Sequence, residues 1–279
     1  MERVIRRRAS AKVNVFLRVL GRRADGYHEI ESLIVPVSLA DDITVRLDPE
    51  LRLSVRGELA DAVPLDEDNL VVRAARALAS AGRVEAGADI ELQKRIPVAA
   101  GLGGGSADAA AALLALDELW GCGLDGGALL ELGASVGSDV PALLHGGPVI
   151  VRGRGEIVEP ATVGPAWWVL VPMPFQVRVG DAFAWWDESG EPGPDFLPIL
   201  KRAGGRLEEV GDAMFNVLEV GVAARHREVG DVLGRLRELG ALGAVMCGSG
   251  PTVAGLAATE EDARQMARTI PGSISVSTP

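Results

Sequence analysis

Cysteine, histidine and tyrosine are scarce in this chain of 279 residues, which holds two, three and one of them. Cys122 and Cys247 stand far apart, and His28, His145 and His226 are isolated from one another, so neither a structural zinc site nor a disulfide framework is expected, and no residues are assigned to a metal. Basic charge is also short. Lys and Arg number 28 against 39 Asp and Glu, a net charge of -11, which argues against a nucleic-acid partner lying along the surface. A phosphate ligand would need a local cradle. Long hydrophobic runs are missing as well: the stretch around Ala109 to Leu116 is too short to cross a bilayer and is flanked by Asp108 and Asp117. The basic start, Arg3, Arg6, Arg7 and Arg8, leads into Lys12 and Asn14 rather than an apolar segment, so no signal peptide and no membrane partner are expected, and a reducing cytoplasm is the expected location.

What is present is the composition of a folded protein, 48% hydrophobic and 24% charged, long enough for one large or two modest domains. Val13, Val15 and Leu17 alternate as in a half-buried strand, as do Leu51, Leu53 and Val55 against Arg52, Ser54 and Arg56. In DEDNLVVRAARAL (66 to 78), Asp68 or Asn69 can cap a helix with Val71, Ala75 and Leu78 on one face. A strand with Ile90 and Leu92 follows. Late in the chain, Trp167 to Val171, a helix through Val229, Leu233 and Leu236, strands near 242–246 and 252–256, a helix with Ala263 and Met266, and Ser273 to Ser277 suggest a split βαβ sandwich. The Gly- and Pro-rich stretch 146–165 marks a junction, part of which suits a hairpin, and places a boundary near residue 162.

The most informative segment is PVAAGLGGGSADAAAALLAL (97 to 116), a glycine loop running into an alanine-rich helix. Gly101, Gly103, Gly104 and Gly105 allow consecutive backbone N–H groups to face one ligand, and the following helix adds its positive end, a combination suited to phosphate. Ser106 is the expected helix cap. No Lys follows, which excludes the usual P-loop, and Ser106 occupies the last glycine position of a dinucleotide fingerprint. The bland alternative is a turn whose glycines merely let helix and strand pack. Asp108 falls in the first turn and would weaken the field offered to an anion, so its side chain must point aside, or alternatively face the metal accompanying ATP, since magnesium prefers oxygen ligands.

Three further segments, ASAKVNVFLRVLGRRADGYHEIESL (9 to 33), VGSDVPALLHG (136 to 146) and MCGSGPTVAGL (246 to 256), complete a set. With the glycine loop, they make the chain similar, nearly end to end, to the GHMP small-molecule kinases. Asp25, Gly26, Tyr27, His28 and Glu29, just after AKVN, resemble the branch acting on 4-diphosphocytidyl-2-C-methyl-D-erythritol in the non-mevalonate isoprenoid pathway, rather than mevalonate or homoserine kinases.

The resemblance implies an α+β, two-domain GHMP kinase fold: residues 1–162 as an N-terminal mixed-sheet ATP-binding domain and 163–279 as a C-terminal ferredoxin-like domain. It also implies transfer of the γ-phosphoryl group of ATP, accompanied by Mg2+, to the tertiary 2-hydroxyl of that small-molecule substrate. Asp139 then matches the base and Lys12 the cation that holds it and stabilises the reacting oxygen. Read blandly, Asp139 is a helix cap and Lys12 a strand-edge charge. Asn14 matches a substrate-orienting amide, Tyr27 and His28 the residues that handle the cytosine, and Phe183 the ring over its other face, although Trp185 and Trp186 stand nearby and Val179 replaces a usual hydroxyl. Asn69, Lys94, Gly101, Gly103, Gly104, Gly105 and Ser106 match the nucleotide site, with Ala107 where the family commonly has a second serine. Gly248, Ser249 and Gly250 match the third superfamily motif, beside the substrate. The competing readings are another GHMP kinase, without a cytosine pocket, and a non-catalytic nucleotide-binding protein of this fold, in which loss of the base or cation is expected.

Overall fold

A computed structural model describes residues 3–85, 87–203 and 206–279, and the chain divides into two compact units. The first comprises Met1–Ala11, Leu39–Val98 and Gly103–Gly146, and the second Lys12–Ser38, Ala99–Leu102 and Gly147–Pro279. Two long early strands, β1 (Val4–Arg22) and β2 (His28–Asp48), contribute residues to both. The boundary expected near residue 162 falls inside the last stretch of the second unit.

In the first unit, β3 (Arg52–Arg56) turns Leu53 and Val55 to the core and leaves Arg52, Ser54 and Arg56 exposed, as its alternation requires. The helix α1 (Leu70–Gly82) carries the chain over to β4 (Gly87–Gln93), which lies parallel to β3 and antiparallel to Asp42–Asp48 of β2, the crossover that a parallel pair needs. Asn69 caps α1, its Oδ1 accepting from the Val71 N–H at 2.8 Å. After it come α2 (Gly104–Trp120), α3 (Gly126–Val136) and α4 (Val140–His145). Alanine is the strongest helix former and offers little bulk, so α2 packs deeply: Ala109, Ala112, Leu113 and Leu116 join Val71, Ala75 and Leu78 of α1 over Ile43, Ile90 and Leu92 of the strands. Burying each Leu, Ile or Val there contributes roughly 1.5–3 kcal/mol.

In the second unit, the Gly- and Pro-rich stretch forms the hairpin β5 (Val149–Gly153) and β6 (Ile157–Pro160), with β5 antiparallel to Ile30–Ile34 of β2. Then follow β7 (Trp167–Val171), α5 (Val179–Asp187), α6 (Leu197–Ala203), α7 (Leu207–Asp212), β8 (Phe215–Asn216) and α8 (Leu218–Arg225). The chain ends with α9 (Arg227–Glu238), β9 (Gly243–Met246), β10 (Val253–Ala257), α10 (Glu260–Thr269) and β11 (Ile274–Ser277). Strands β11, β7, β10 and β9 lie side by side in that order, all antiparallel, with α9 leading into β9 and α10 joining β10 to β11. This is the ferredoxin-like arrangement expected. Val169, Leu233, Leu236, Ala244, Met246, Val253, Ala263 and Met266 form its core.

One strand departs from its expectation. Residues 11–17 of β1 are buried on both faces, not half-buried. Val13, Val15 and Leu17 are the apolar set, but Lys12 and Asn14 on the other face are buried too, at 3% and 2% exposure, because hydrogen-bond partners await them. The polar half of the alternation marks a site rather than solvent.

Candidate active site

In the second unit, three segments distant in sequence meet at Lys12. Its Nζ donates to Asn14 Oδ1 at 2.6 Å and to the Gly101 carbonyl at 3.0 Å, and its backbone N–H donates to the Leu102 carbonyl at 3.0 Å. Two residues along a strand share a face, which is why Lys12 and Asn14 reach each other. Asn14 Nδ2 donates to Ser32 Oγ at 3.0 Å, and Ser32 in turn donates to the Phe16 carbonyl, so the amide is fixed in orientation.

Gly248 closes against this group. A Cβ on it would stand 3.0 Å from Lys12 Nζ, 3.2 Å from the Gly101 carbonyl oxygen and 3.3 Å from Asn14 Oδ1, at a φ of +54°. Gly101, at φ +79°, faces the Cys247 carbonyl so closely that only glycine fits. Ala99 is left-handed as well, at φ +53°, a strained conformation for a residue with a Cβ. Ser249 and Gly250 complete the turn between β9 and β10, where the Gly250 N–H donates to Cys247 O at 2.8 Å. Asn216 holds the same turn from below, its Nδ2 donating to the carbonyls of Met246 and Gly248 at 2.7 Å each. Glu219 accepts from the Met246 N–H at 2.9 Å, and burial pushes its carboxyl above the ordinary range. Burial likewise pushes the Cys247 thiol up to about 12, so it is no nucleophile at neutral pH.

An aromatic group forms a second feature of this unit. His28 opens β2, and its Nε2 donates to Asp187 Oδ1 at 2.9 Å, which fixes the tautomer and leaves Nδ1 for another partner. The ring of Phe183 stacks on His28 with centroids 4.7 Å apart, and Trp186 meets it edge-on at 5.6 Å. Trp185 faces elsewhere, with the Arg225 guanidinium 4.8 Å over its ring and His226 tilted against it. Tyr27 is half exposed, with the Arg154 guanidinium 5.0 Å over its ring. Beside it, the Asp25 carboxyl is held below its usual range by the Tyr27 N–H and by Arg23.

In the first unit, the rest of the glycine loop stands at the head of α2. Gly103, at φ +69°, is its N-cap residue. Ser106, the expected cap, is the third residue of the helix, because Gly103 has already made the turn; likewise Asp108 is the fifth residue rather than part of the first turn. A Cβ on Gly104 would meet Lys94 Nζ at 3.1 Å, one on Gly105 would meet Leu70 at 3.8 Å, and one on Gly137 would meet Ser106 Oγ at 3.7 Å. The loop, the start of α1 just after Asn69 and the GSD segment therefore lie together. Asp139 occupies the N-cap position of α4 but makes no capping hydrogen bond, so the bland role proposed for it is not the one its side chain plays.

Lys94 is buried among carboxylates: Nζ stands 2.5 Å from Asp41 Oδ2 and 2.7 Å from Asp108 Oδ2. Asp108 does point aside, into this cluster. Burial pushes its carboxyl up to about 8 against the opposing pull of Lys94. Asp41, Asp187 and Asn216 escaped the sequence reading, having no motif of their own, and Ser32, although inside the segment 9 to 33, is given no role by it. Among the described residues, no group of three or more His, Cys, Asp or Glu is placed to hold a metal ion, and no helix is long and apolar enough to cross a membrane.

Comparison with known proteins identifies the family and the fold. Residues 69–147 match the family model for the GHMP kinases N-terminal domain, and residues 196–273 that for the GHMP kinases C-terminal region. The 4-diphosphocytidyl-2-C-methyl-D-erythritol kinase of Pelotomaculum thermopropionicum is 45% identical, over 95% of this chain and 93% of that protein. The kinase of the same name from Symbiobacterium thermophilum is 44% identical, over 90% of each. A crystal structure of 4-(cytidine 5'-diphospho)-2C-methyl-D-erythritol kinase superposes with a TM-score of 0.84 at 35% identity, covering 98% of both chains. The α+β, two-domain GHMP kinase fold is thereby established.

Proposed function

Because the chain belongs to the GHMP kinase family, we propose that it transfers the γ-phosphoryl group of ATP to the 2-hydroxyl of 4-diphosphocytidyl-2-C-methyl-D-erythritol, the compound in the names of its relatives at 45% and 44% identity. The observation that carries this reading is the convergence of the AKVN segment, the glycine loop and the Gly-Ser-Gly turn on the buried ammonium of Lys12. An ammonium is kept out of water at a free-energy cost, and a fold retains one where negative charge must be met.

In this mechanism the bond from the substrate's 2-oxygen to the γ-phosphorus forms as the bond from that phosphorus to the β,γ-bridging oxygen breaks, and ADP leaves. Asp139 accepts the proton of the attacking hydroxyl, and Lys12 neutralises charge on the reacting oxygens. Asn14, held by Ser32, orients the acceptor. Gly101, Gly103, Gly104, Gly105 and Ser106, with the head of α2, take the triphosphate, while Asn69 and Lys94 border the nucleotide. Tyr27, His28 and Phe183 take the cytosine, and Gly248, Ser249 and Gly250 line the acceptor's path. Magnesium would enter with the donor as MgATP and would supply charge neutralisation at the phosphates. The division of labour at residue 162, with nucleotide handled mainly before it, and a cytoplasmic setting belong to the same proposal.

The test is ADP release from MgATP with each of three acceptors. Turnover is expected with the cytidylyl-methylerythritol compound and not with mevalonate or homoserine. Equal turnover of all three, or phosphorylation of mevalonate or homoserine alone, would reject the assignment.

A further inference from the structure

The cluster of Asp41, Lys94 and Asp108 in the first unit has an imbalance of charge that the roles above leave unexplained. One buried ammonium faces two buried carboxyl groups, whose side chains are 0% and 4% exposed. If both were ionised, the cluster would carry a net negative charge out of water, which is costly.

The hydrogen bonds say where a proton can sit. Asp41 Oδ2 accepts from Lys94 Nζ, and its Oδ1 accepts from the backbone N–H groups of Arg95 and Ile96, the latter at 2.8 Å. Both oxygens of Asp41 are engaged as acceptors, so a proton there would displace a bond already made. Asp108 differs: Oδ2 accepts from Lys94 at 2.7 Å, whereas Oδ1 is buried and takes no hydrogen bond among the described residues. An uncharged O–H there costs less than a bare carboxylate oxygen.

The cluster adjoins the glycine loop, since the same Nζ stands 3.1 Å from where Gly104 would carry a Cβ. Its net charge is therefore felt where the triphosphate is expected. We propose that Asp108 carries a proton at neutral pH, making the cluster neutral beside the loop, and that this proton is a condition for tight nucleotide binding. The second half rests on the kinase reading; the first does not. A neighbouring ammonium and a second carboxylate act on Asp108 in opposite directions, and desolvation outweighs both. The remaining ionisable groups on the helices packed against α2 are Arg73, Arg76, Glu131 and His145, all exposed, and Asp139, half-buried.

The experiment pairs infrared spectroscopy with nucleotide binding, using the full chain and Asp108→Asn, an uncharged near-isostere. In the protein without nucleotide at pH 7, the carbonyl stretch of a protonated carboxylic acid is expected, absent from Asp108→Asn and lost in the wild type as pH rises through about 8. ATP affinity of the wild type is expected to weaken about tenfold from pH 7 to pH 9 as a negative charge appears beside the loop, while Asp108→Asn binds at pH 7 within about twofold of the wild type and loses the decline. Absence of an Asp108-dependent band at pH 7 overturns the protonation. A band with equal decline in both proteins overturns its role in binding. A protein showing both effects but phosphorylating none of the three acceptors would reject the assigned acceptor, while the protonation of Asp108 and its effect on ATP binding, both read directly, would stand.

Discussion

The two units build their parts of the candidate site from different materials. The first relies on charge and on the end of a helix: Lys94 between Asp41 and Asp108, Asp139 at the head of α4, and three glycines at the head of α2. The second relies more on shape: Gly248 and Gly101 fit because they have no side chain, Phe183 stacks on His28 while Trp186 meets it edge-on, and Lys12 is tied to an amide oxygen and a backbone carbonyl. Substitutions that alter charge at constant shape should therefore hurt the first unit most, and those that alter shape at constant charge the second.

The sharpest break in that contrast is Asp139→Asn. It changes a proton acceptor with almost no change of form, and kcat is expected to fall about 10³-fold with the acceptor's KM little altered. Steady-state ADP release checks it, and near-normal turnover would remove Asp139 from its role. Next in size is Asp41→Asn, which leaves Lys94 with Asp108 alone and takes a charge from an oxygen pair engaged by three donors. A loss of about 3 kcal/mol in unfolding free energy is expected by urea denaturation. Asp108→Asn should behave oppositely. The folded chain holds that proton between the ordinary carboxylate range and about 8 while the unfolded chain sheds it, so wild-type stability falls as pH rises across this window. The asparagine variant loses that fall, and parallel wild-type and variant curves would refute the sign.

The outline of both units could be read from the sequence because their signals are local. Asn69 before an apolar face, alternation in β3, and the helix–strand order near the C-terminus each depend on neighbours a few residues apart. The candidate site was legible where a motif was local too, as in the glycine loop and the Gly-Ser-Gly turn. Its supports were not. Asp41 sits in an ordinary strand and acquires its role only when β4 and α2 bring Lys94 and Asp108 to it, and Ser32, Asp187 and Asn216 likewise act on residues far away in the chain. Ser106 misled for a related reason: a capping residue is chosen by where the turn begins, and Gly103 in a left-handed conformation began it earlier. The interleaving of the units was hidden because β1 and β2 are long enough to serve both.

The smallest effect separates neighbours on one helix. Phe183 and Trp185 both lie on α5, and both are aromatic, but only Phe183 stacks on His28, whereas Trp185 faces Arg225 and His226. Stacked pairs contribute about 0.5–1.5 kcal/mol beyond the area they bury, so replacing Phe183 by leucine, which keeps the bulk and removes the π-face, should raise the acceptor's KM about fivefold and leave that of ATP unchanged. Trp185→Leu should change neither constant, since its ring contacts are with Arg225 and His226. Steady-state constants for both substrates decide between the rings. An effect at Trp185 and none at Phe183 would move base recognition to the Arg225 side of the helix, and with it the claim that shape around His28 is what the second unit contributes.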